Sequence, residues 1–285
     1  MMIIRPGVLF GLLLLAGCDN PAEQTDITRP GHYDRSIELD GEVRSYELHV
    51  PASYDGSRAF PLLYDMHPAV INGTIQNMMS DFQALAEEED FILVQPDGIG
   101  GSWNAGEKCC GTAYARKLDD TGLMRQIRRQ LITDGLRVDE SRTFMDGMSA
   151  GGYLSHTVAC TDTDFVAGIA GVVASMAWRD VSRCRPTRPV PVLMISGSRD
   201  LLSDRKETFD RWRELNQCSG PPRLETSGVF TCEIYENCSG GVETTHCVGD
   251  GVGHCWPGTD FSIYSCNQDL DASRYIWNFF ERAAG

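Results

Sequence analysis

The chain is short of positive charge. Over 285 residues, 25 Lys and Arg stand against 40 Asp and Glu, a formal net charge of −15. That balance excludes nucleic acid as a natural partner, because phosphate binding needs a basic face. Also missing is an apolar run long enough to cross a bilayer. The run at the start, Val8 to Ala16, has roughly nine residues where a span needs about 20. No CxxC pair of the kind zinc sites use is present, and the body shows no internal repeat and no linker. What the chain does have is cysteine: 11 in all, an odd number that asks for one to be explained separately.

Cys18 accounts for the odd one. Residues 1–17 read as a lipoprotein signal peptide, with a basic start at Arg5, a short apolar core and the ending Leu15-Ala16-Gly17-Cys18. That ending has the form of a bacterial lipobox, an ordinary signal peptide being the simpler alternative. Lipidation at Cys18 would tie the protein to a membrane of the bacterial cell envelope, facing the periplasm or the outside. Residues 18–35 are expected to be a polar tether and residues 36–285 one catalytic domain. The other ten cysteines form an even set, which in an exported chain reads as disulfides. Six of them lie between Cys218 and Cys266, so the C-terminal third should be stapled locally.

Hydrophobic patterning alternates between strand and helix. Residues 44–50, 61–66, 91–95, 143–145, 165–174, 190–196, 231–235 and 242–248 read as strands, several of them continuous apolar runs suited to burial on both faces. Helical spacing appears over 80–86, in the series Leu123, Ile127, Leu131, over 150–160, over 209–215 and over 272–282. Such alternation predicts an α/β fold with a mostly parallel central sheet flanked by helices.

Gly147-Met148-Ser149-Ala150-Gly151 matches G-x-S-x-G. In a chain with 29 glycines the pentapeptide is weak by itself. Its setting is what counts: a strand enters the turn and a helix leaves it, the nucleophile elbow of an α/β-hydrolase. Glycines two residues either side of the serine suit a turn too tight for side chains. The elbow lifts the Ser149 hydroxyl above the sheet and aims the Ala150 N–H at a developing oxyanion. In this fold the acid and the base follow the serine in that order. Asp200 lies in a strand-end loop, with Asp204 as fallback. His254 lies in the turn-rich stretch Gly251 to Gly258. His49, His156 and His246 fall on predicted strands or on the nucleophile helix and compete poorly.

Several motifs in order then resemble a known family: Ser102-Trp103-Asn104-Ala105-Gly106, Cys109-Cys110-Gly111, Asp119-Asp120, the elbow, and His254-x-Trp256-Pro257-Gly258. Together they resemble the polyhydroxybutyrate depolymerase and feruloyl esterase group of carbohydrate-esterase type, secreted α/β-hydrolases. The resemblance covers about residues 36–280. It implies ester hydrolysis through an acyl-enzyme, with Ser149 as nucleophile, Asp200 as acid and His254 as base, and with no metal or organic cofactor. It points to feruloyl or acetyl esters on polysaccharide, or short hydroxyalkanoate oligomers, as substrates. Few residues follow Phe280, which disfavours granular polyester.

Trp103, Asn104 and Trp256 are candidate substrate-binding residues, though either tryptophan would equally serve as packing. Cys109 and Cys110 would hold their loop by bonds to Cys160 and Cys184, or simply fold it. Asp119 and Asp120 are expected to cap the helix starting near Gly122. Three departures from the family stand out, the first being Ala150 where an Asn usually follows the nucleophile. The family's usual His-Gly is here His67-Pro68, and a proline has no N–H, so the second oxyanion donor would be the Ala69 N–H. Cys255 follows the catalytic histidine, with Cys266 its expected partner. Pro68 and the anchor together motivate the alternative to the esterase reading, a catalytically impaired envelope lipoprotein with a binding role. A serine peptidase on the same fold is the third possibility.

Overall fold

The computed structural model describes residues 26–177, 180–202, 205–261 and 266–285. The expected signal peptide, Cys18 and the fallback acid Asp204 lie outside them. The described chain begins with an antiparallel ribbon, β1 (Gly31–Leu39) and β2 (Glu42–Val50). Asp40 and Gly41 turn it, both at positive φ, as a two-residue hairpin requires. There follow β3 (Phe60–Met66), α1 (Gly73–Ser80), α2 (Phe82–Glu89), β4 (Ile92–Pro96), α3 (Gly111–Arg116), α4 (Asp120–Thr133) and β5 (Val138–Gly147). After the elbow come α5 (Ala150–Thr161), β6 (Gly168–Val172), β7 (Val192–Gly197) and α6 (Arg205–Leu215). Then β8 (Arg223–Ser227), β9 (Phe230–Tyr235), β10 (Thr244–Gly249) and α7 (Ala272–Ala284) complete the described chain.

The strands make one sheet in the order β1-β2-β4-β3-β5-β6-β7-β10-β9-β8. From β4 to β10 the pairings are parallel, and the two flanks are antiparallel. The parallel strands read in sequence as unbroken apolar runs because both faces are covered. On one face Leu62, Tyr64 and Met145 pack with Leu123 and Ile127 of α4, Leu154 and Val158 of α5 and Trp212 of α6. On the other, Leu63, Phe144 and Leu193 pack with Phe82 of α2 and Ile276, Trp277 and Phe280 of α7. This is the α/β-hydrolase fold, and every parallel strand delivers its C-terminal end to the same edge.

Three expectations need correction. The domain does not begin at residue 36: β1 starts at Gly31, and Ile27, Tyr33 and Ile37 are buried in the core, so the second half of the expected tether is structured. The cysteine pairing also differs. Cys109 bonds Cys110, and Cys160 bonds Cys184. The chain therefore closes its loop on itself rather than onto α5. The remaining pairs are Cys218–Cys238, Cys232–Cys247 and Cys255–Cys266, the local stapling and the last pair being as expected. Finally, only Asp119 caps α4, accepting from the Gly122 N–H at 2.7 Å. Asp120 is buried instead. Its two oxygens take the Arg44 guanidinium at 2.5 Å and the Asn104 N–H at 2.6 Å. Removing either partner of this buried ion pair would leave an uncompensated charge, a loss of about 3–5 kcal/mol.

Candidate active site

The elbow is built by close backbone contact. β5 runs beside β3, and the turn after Gly147 presses against the end of β3. A Cβ on Gly147 would lie 2.6 Å from the Met66 carbonyl oxygen, and one on Gly151 only 2.1 Å from it. Neither position can hold a side chain without moving the sheet. Ser149 sits between them at φ 50° and ψ −116°, a strained conformation for a residue with a side chain. Its N–H is spent on the Val172 carbonyl at 2.9 Å, and its carbonyl accepts from Tyr153 at 2.9 Å as α5 begins. The side chain is thereby left at the N-terminal end of α5, where the helix dipole favours negative charge.

The acid and the base come from neighbouring strands. Asp200 follows β7, His254 follows β10, and β7 and β10 pair in parallel. Their loops are bonded to each other: the Ser198 N–H donates to the Gly249 carbonyl and the Arg199 N–H to the Val252 carbonyl, each at 2.9 Å. A Cβ on Gly197 would meet the Val252 oxygen at 2.2 Å, so this approach also depends on glycine. Asp200 is 2% exposed, and its Oδ1 accepts from His254 Nδ1 at 3.1 Å and from the Leu202 N–H at 2.9 Å. The His254 side chain keeps 24% exposure, with the Cys255–Cys266 bridge closing the loop behind it. The structure thus brings Asp200 and His254 into contact at the strand edge that also carries Ser149. The other candidate histidines are placed elsewhere. His156 is buried and accepts from Trp212 Nε1, His246 bonds Ser196, and His49 bonds Glu87.

The turn after β3 survives its proline. The Val70 N–H donates to the Gly101 carbonyl at 2.7 Å, and Val70 takes φ 69°, a strained value for a β-branched residue. Among the described residues no acceptor within the protein is bonded to the N–H of Ala69 or of Ala150. His67 organises this turn, a role the sequence reading missed. Its ring is fully buried, Nε2 accepts the Gly98 N–H at 2.9 Å, and Nδ1 donates to the Pro68 carbonyl at 2.7 Å. Burial pushes its pKa below the ordinary imidazole value, which keeps the ring neutral and this bonding pattern intact.

Trp103 and Trp256 are both buried, and Trp256 also borders a cavity with Pro257 and Gly258. Trp103 is wholly buried, packs against the His67 ring at 4.8 Å between centroids with the planes tilted by 38°, and donates Nε1 to the His67 carbonyl at 2.9 Å. Trp256 is 1% exposed, donates to Ser273 at 3.1 Å and meets Phe82 edge-on beneath the histidine loop. Each ring packs under a loop of the site, Trp103 beneath the turn at His67 and Trp256 beneath the histidine loop. Asn104 is partly exposed, but its side-chain amide is committed to the Leu118 carbonyl at 2.7 Å.

A pair of buried carboxylates lies just inside the elbow. Asp65 and Asp146 are cross-strand partners on β3 and β5, both wholly buried. Asp65 accepts from Gln76, Ser80 and Gln95 at 2.6, 2.7 and 2.8 Å. Neither oxygen of Asp146 has a partner among the described residues. Burial, then the neighbouring Asp65 charge, raises the Asp146 pKa well above its ordinary value of 3.8, and burial pushes Asp65 up to about 6. The folded protein therefore holds protons that the unfolded chain releases as pH rises above about 4, and stability falls across that window. Asp146→Asn should remove part of that fall. In urea unfolding, the variant's advantage over the parent should grow from about pH 4 to about pH 7. An advantage that does not change with pH would assign the titration elsewhere.

No family model matches the chain. The chain is 30% identical over 228 residues to feruloyl esterase B of Piromyces equi, covering 72% of this chain and 41% of that protein. It is 23% identical over 265 residues to feruloyl esterase D of Neurospora crassa, covering 86% and 83%. It belongs with the feruloyl esterase-like carbohydrate esterases. The chain spans about two fifths of the length of the first of these relatives. Among solved structures, an acetyl xylan esterase from Aspergillus awamori superposes with a TM-score of 0.62 at 14% identity, covering 88% of this chain and 99% of that one. That likeness speaks to the fold. Five disulfides among the described residues fit an oxidising compartment outside the cytoplasm.

Proposed function

We propose that this feruloyl esterase-like protein is a serine esterase acting through an acyl-enzyme. The observation that carries the reading is the His254–Asp200 contact at the edge where the elbow presents Ser149. Ser149 attacks the ester carbonyl while His254 Nε2 takes its proton and Asp200 steadies the imidazolium. The Ala150 and Ala69 N–H groups receive the oxyanion. His254 then gives the proton to the leaving alcohol. A water attacks the acyl-enzyme by the same route in reverse, and the carboxylic acid leaves.

The substrate is an ester of a polysaccharide-linked aromatic acid. Val70 beside the oxyanion turn and Leu201 and Leu202 beside the acid are 85%, 92% and 72% exposed, an apolar rim suited to an aryl acyl group. Tyr153 Oη ties Leu202 to the nucleophile helix at 3.1 Å. The lipobox at Cys18 supports attachment to a membrane of the cell envelope through lipid. The test combines a fluorophosphonate probe with methyl ferulate, acetylated xylan and 3-hydroxybutyrate oligomers. Labelling at Ser149 with turnover of methyl ferulate above the other two is expected. An unlabelled Ser149 would instead favour the binding role. Labelling with preference for one of the other esters would keep the chemistry and move the substrate.

A further inference from the structure

Away from the hydrolase edge, the N-terminal ribbon carries a second group of chemically suited side chains. In the β1–β2 pairing Asp34 lies opposite Glu47, and His32 opposite His49. Strand alternation puts all four on one face, while the intervening Tyr33 and Leu48 are buried in the core. A ring nitrogen of His32 and one carboxylate oxygen each from Asp34 and Glu47 lie within 4.8 Å of one another. His32 Nε2 is 3.6 Å from Glu47 Oε2. An ion about 2.0–2.2 Å from each donor would fit that spacing after small side-chain adjustments.

Two further features point the same way. Like charges directly across a sheet repel, and Asp34 and Glu47 are such a pair, so a cation between them would turn repulsion into attraction. The outer groups also orient the ligands. His32 Nδ1 lies 3.0 Å from the Gln83 amide of α2. As placed, the Gln83 amide nitrogen donates to Nδ1 and Nε2 carries the hydrogen; an ion at Nε2 requires the amide to turn, so that its oxygen accepts from Nδ1–H and the Nε2 lone pair faces the carboxylates. Glu47 Oε1 accepts from the Thr74 hydroxyl of α1, leaving Oε2 for an ion. Partners of this kind set tautomer and direction at metal sites. His49 is committed to Glu87 at 2.8 Å and stands beside the group as a wall.

We propose that His32, Asp34 and Glu47 form a divalent-metal site, best suited to Zn²⁺, with water completing a tetrahedron. One imidazole and two carboxylates favour Zn²⁺ over Ca²⁺, which takes six to eight oxygens. The site fastens the edge ribbon to α1 and α2. It is separate from hydrolysis, because β4 and β3 lie between β2, the nearer of its two strands, and β5.

The test is calorimetric titration of the chelator-treated, tag-free full chain with Zn²⁺ alone. One equivalent should bind with micromolar or tighter affinity and raise the melting temperature. His32→Ala and Glu47→Gln should each weaken binding at least about tenfold, and Gln83→Ala about tenfold through ring orientation. All three should melt like the parent without metal and keep its esterase rate. Failure of the parent to bind Zn²⁺, unchanged binding in His32→Ala, or equal affinity for Ca²⁺ would each overturn the proposal.

Discussion

Ser149→Ala is expected to lower kcat on p-nitrophenyl acetate by about 10⁶-fold while leaving KM within a small factor. The size follows from the loss of the covalent route. Without the hydroxyl, only oxyanion stabilisation and binding remain, which still give about 10³–10⁴ over water. The fold should be unaffected, because alanine meets the same backbone cost at φ 50° as serine does. Steady-state kinetics and loss of fluorophosphonate labelling check the result together. A variant that keeps parental turnover would remove Ser149 from the reaction.

Asp200→Ala comes next, with an expected loss of about 10⁴ in kcat. His254 Nδ1 would lose its acceptor, and the ring would be free to carry its proton on Nε2, where it cannot take one from serine. The geometry separates this from a charge effect. One oxygen of Asp200 accepts from both His254 and the Leu202 N–H. In Asp200→Asn the Leu202 N–H favours the amide oxygen at that position, so the correct tautomer is retained. Asp200→Asn should therefore lose less than Asp200→Ala, and less than the roughly 10⁴ that a wrong tautomer costs in a triad of this kind. Equal losses would show that the charge, and not the tautomer, carries the contribution. Both are read from kcat across pH, since a change of ring orientation alters the plateau as well as the position of the profile.

The central strands and the elbow were legible because their signals are local. Burial on both faces needs continuous apolar runs, and a turn pressed against the Met66 carbonyl needs glycine on both sides of Ser149. Other elements gave no such signal. β8 is exposed along its whole length and so carries no hydrophobic period. In β1 the apolar residues are spaced by charged ones, which made residues 31–35 look like tether. The helical stretch near residue 80 is two helices broken at Asp81, whose left-handed conformation serves as the cap between them.

In the candidate site, Ser149, Asp200 and His254 were proposed from residue type and order, and the structure sets Asp200 against His254 at 3.1 Å. The roles of Trp103, Trp256 and His67 could not be read from the chain. An aromatic in a loop has the same sequence signature whether its face meets a ligand or covers a backbone carbonyl, as Trp103 covers that of His67. Cysteine pairing was equally hidden, since a count of ten allows many connectivities and only proximity chooses Cys109–Cys110 over a bridge to Cys160. The sequence by itself determined the fold class, the oxidising compartment and the order of the candidate reactive groups, all of which follow from short-range pattern and residue type. The tertiary structure alone decided which side chains support and which are exposed, which carboxylates are forced together beneath the elbow, and which face of the first ribbon gathers a histidine with two acids. Those depend on strand register and on which helices cover each face, quantities set by packing across the whole sheet and written in no single segment of the chain.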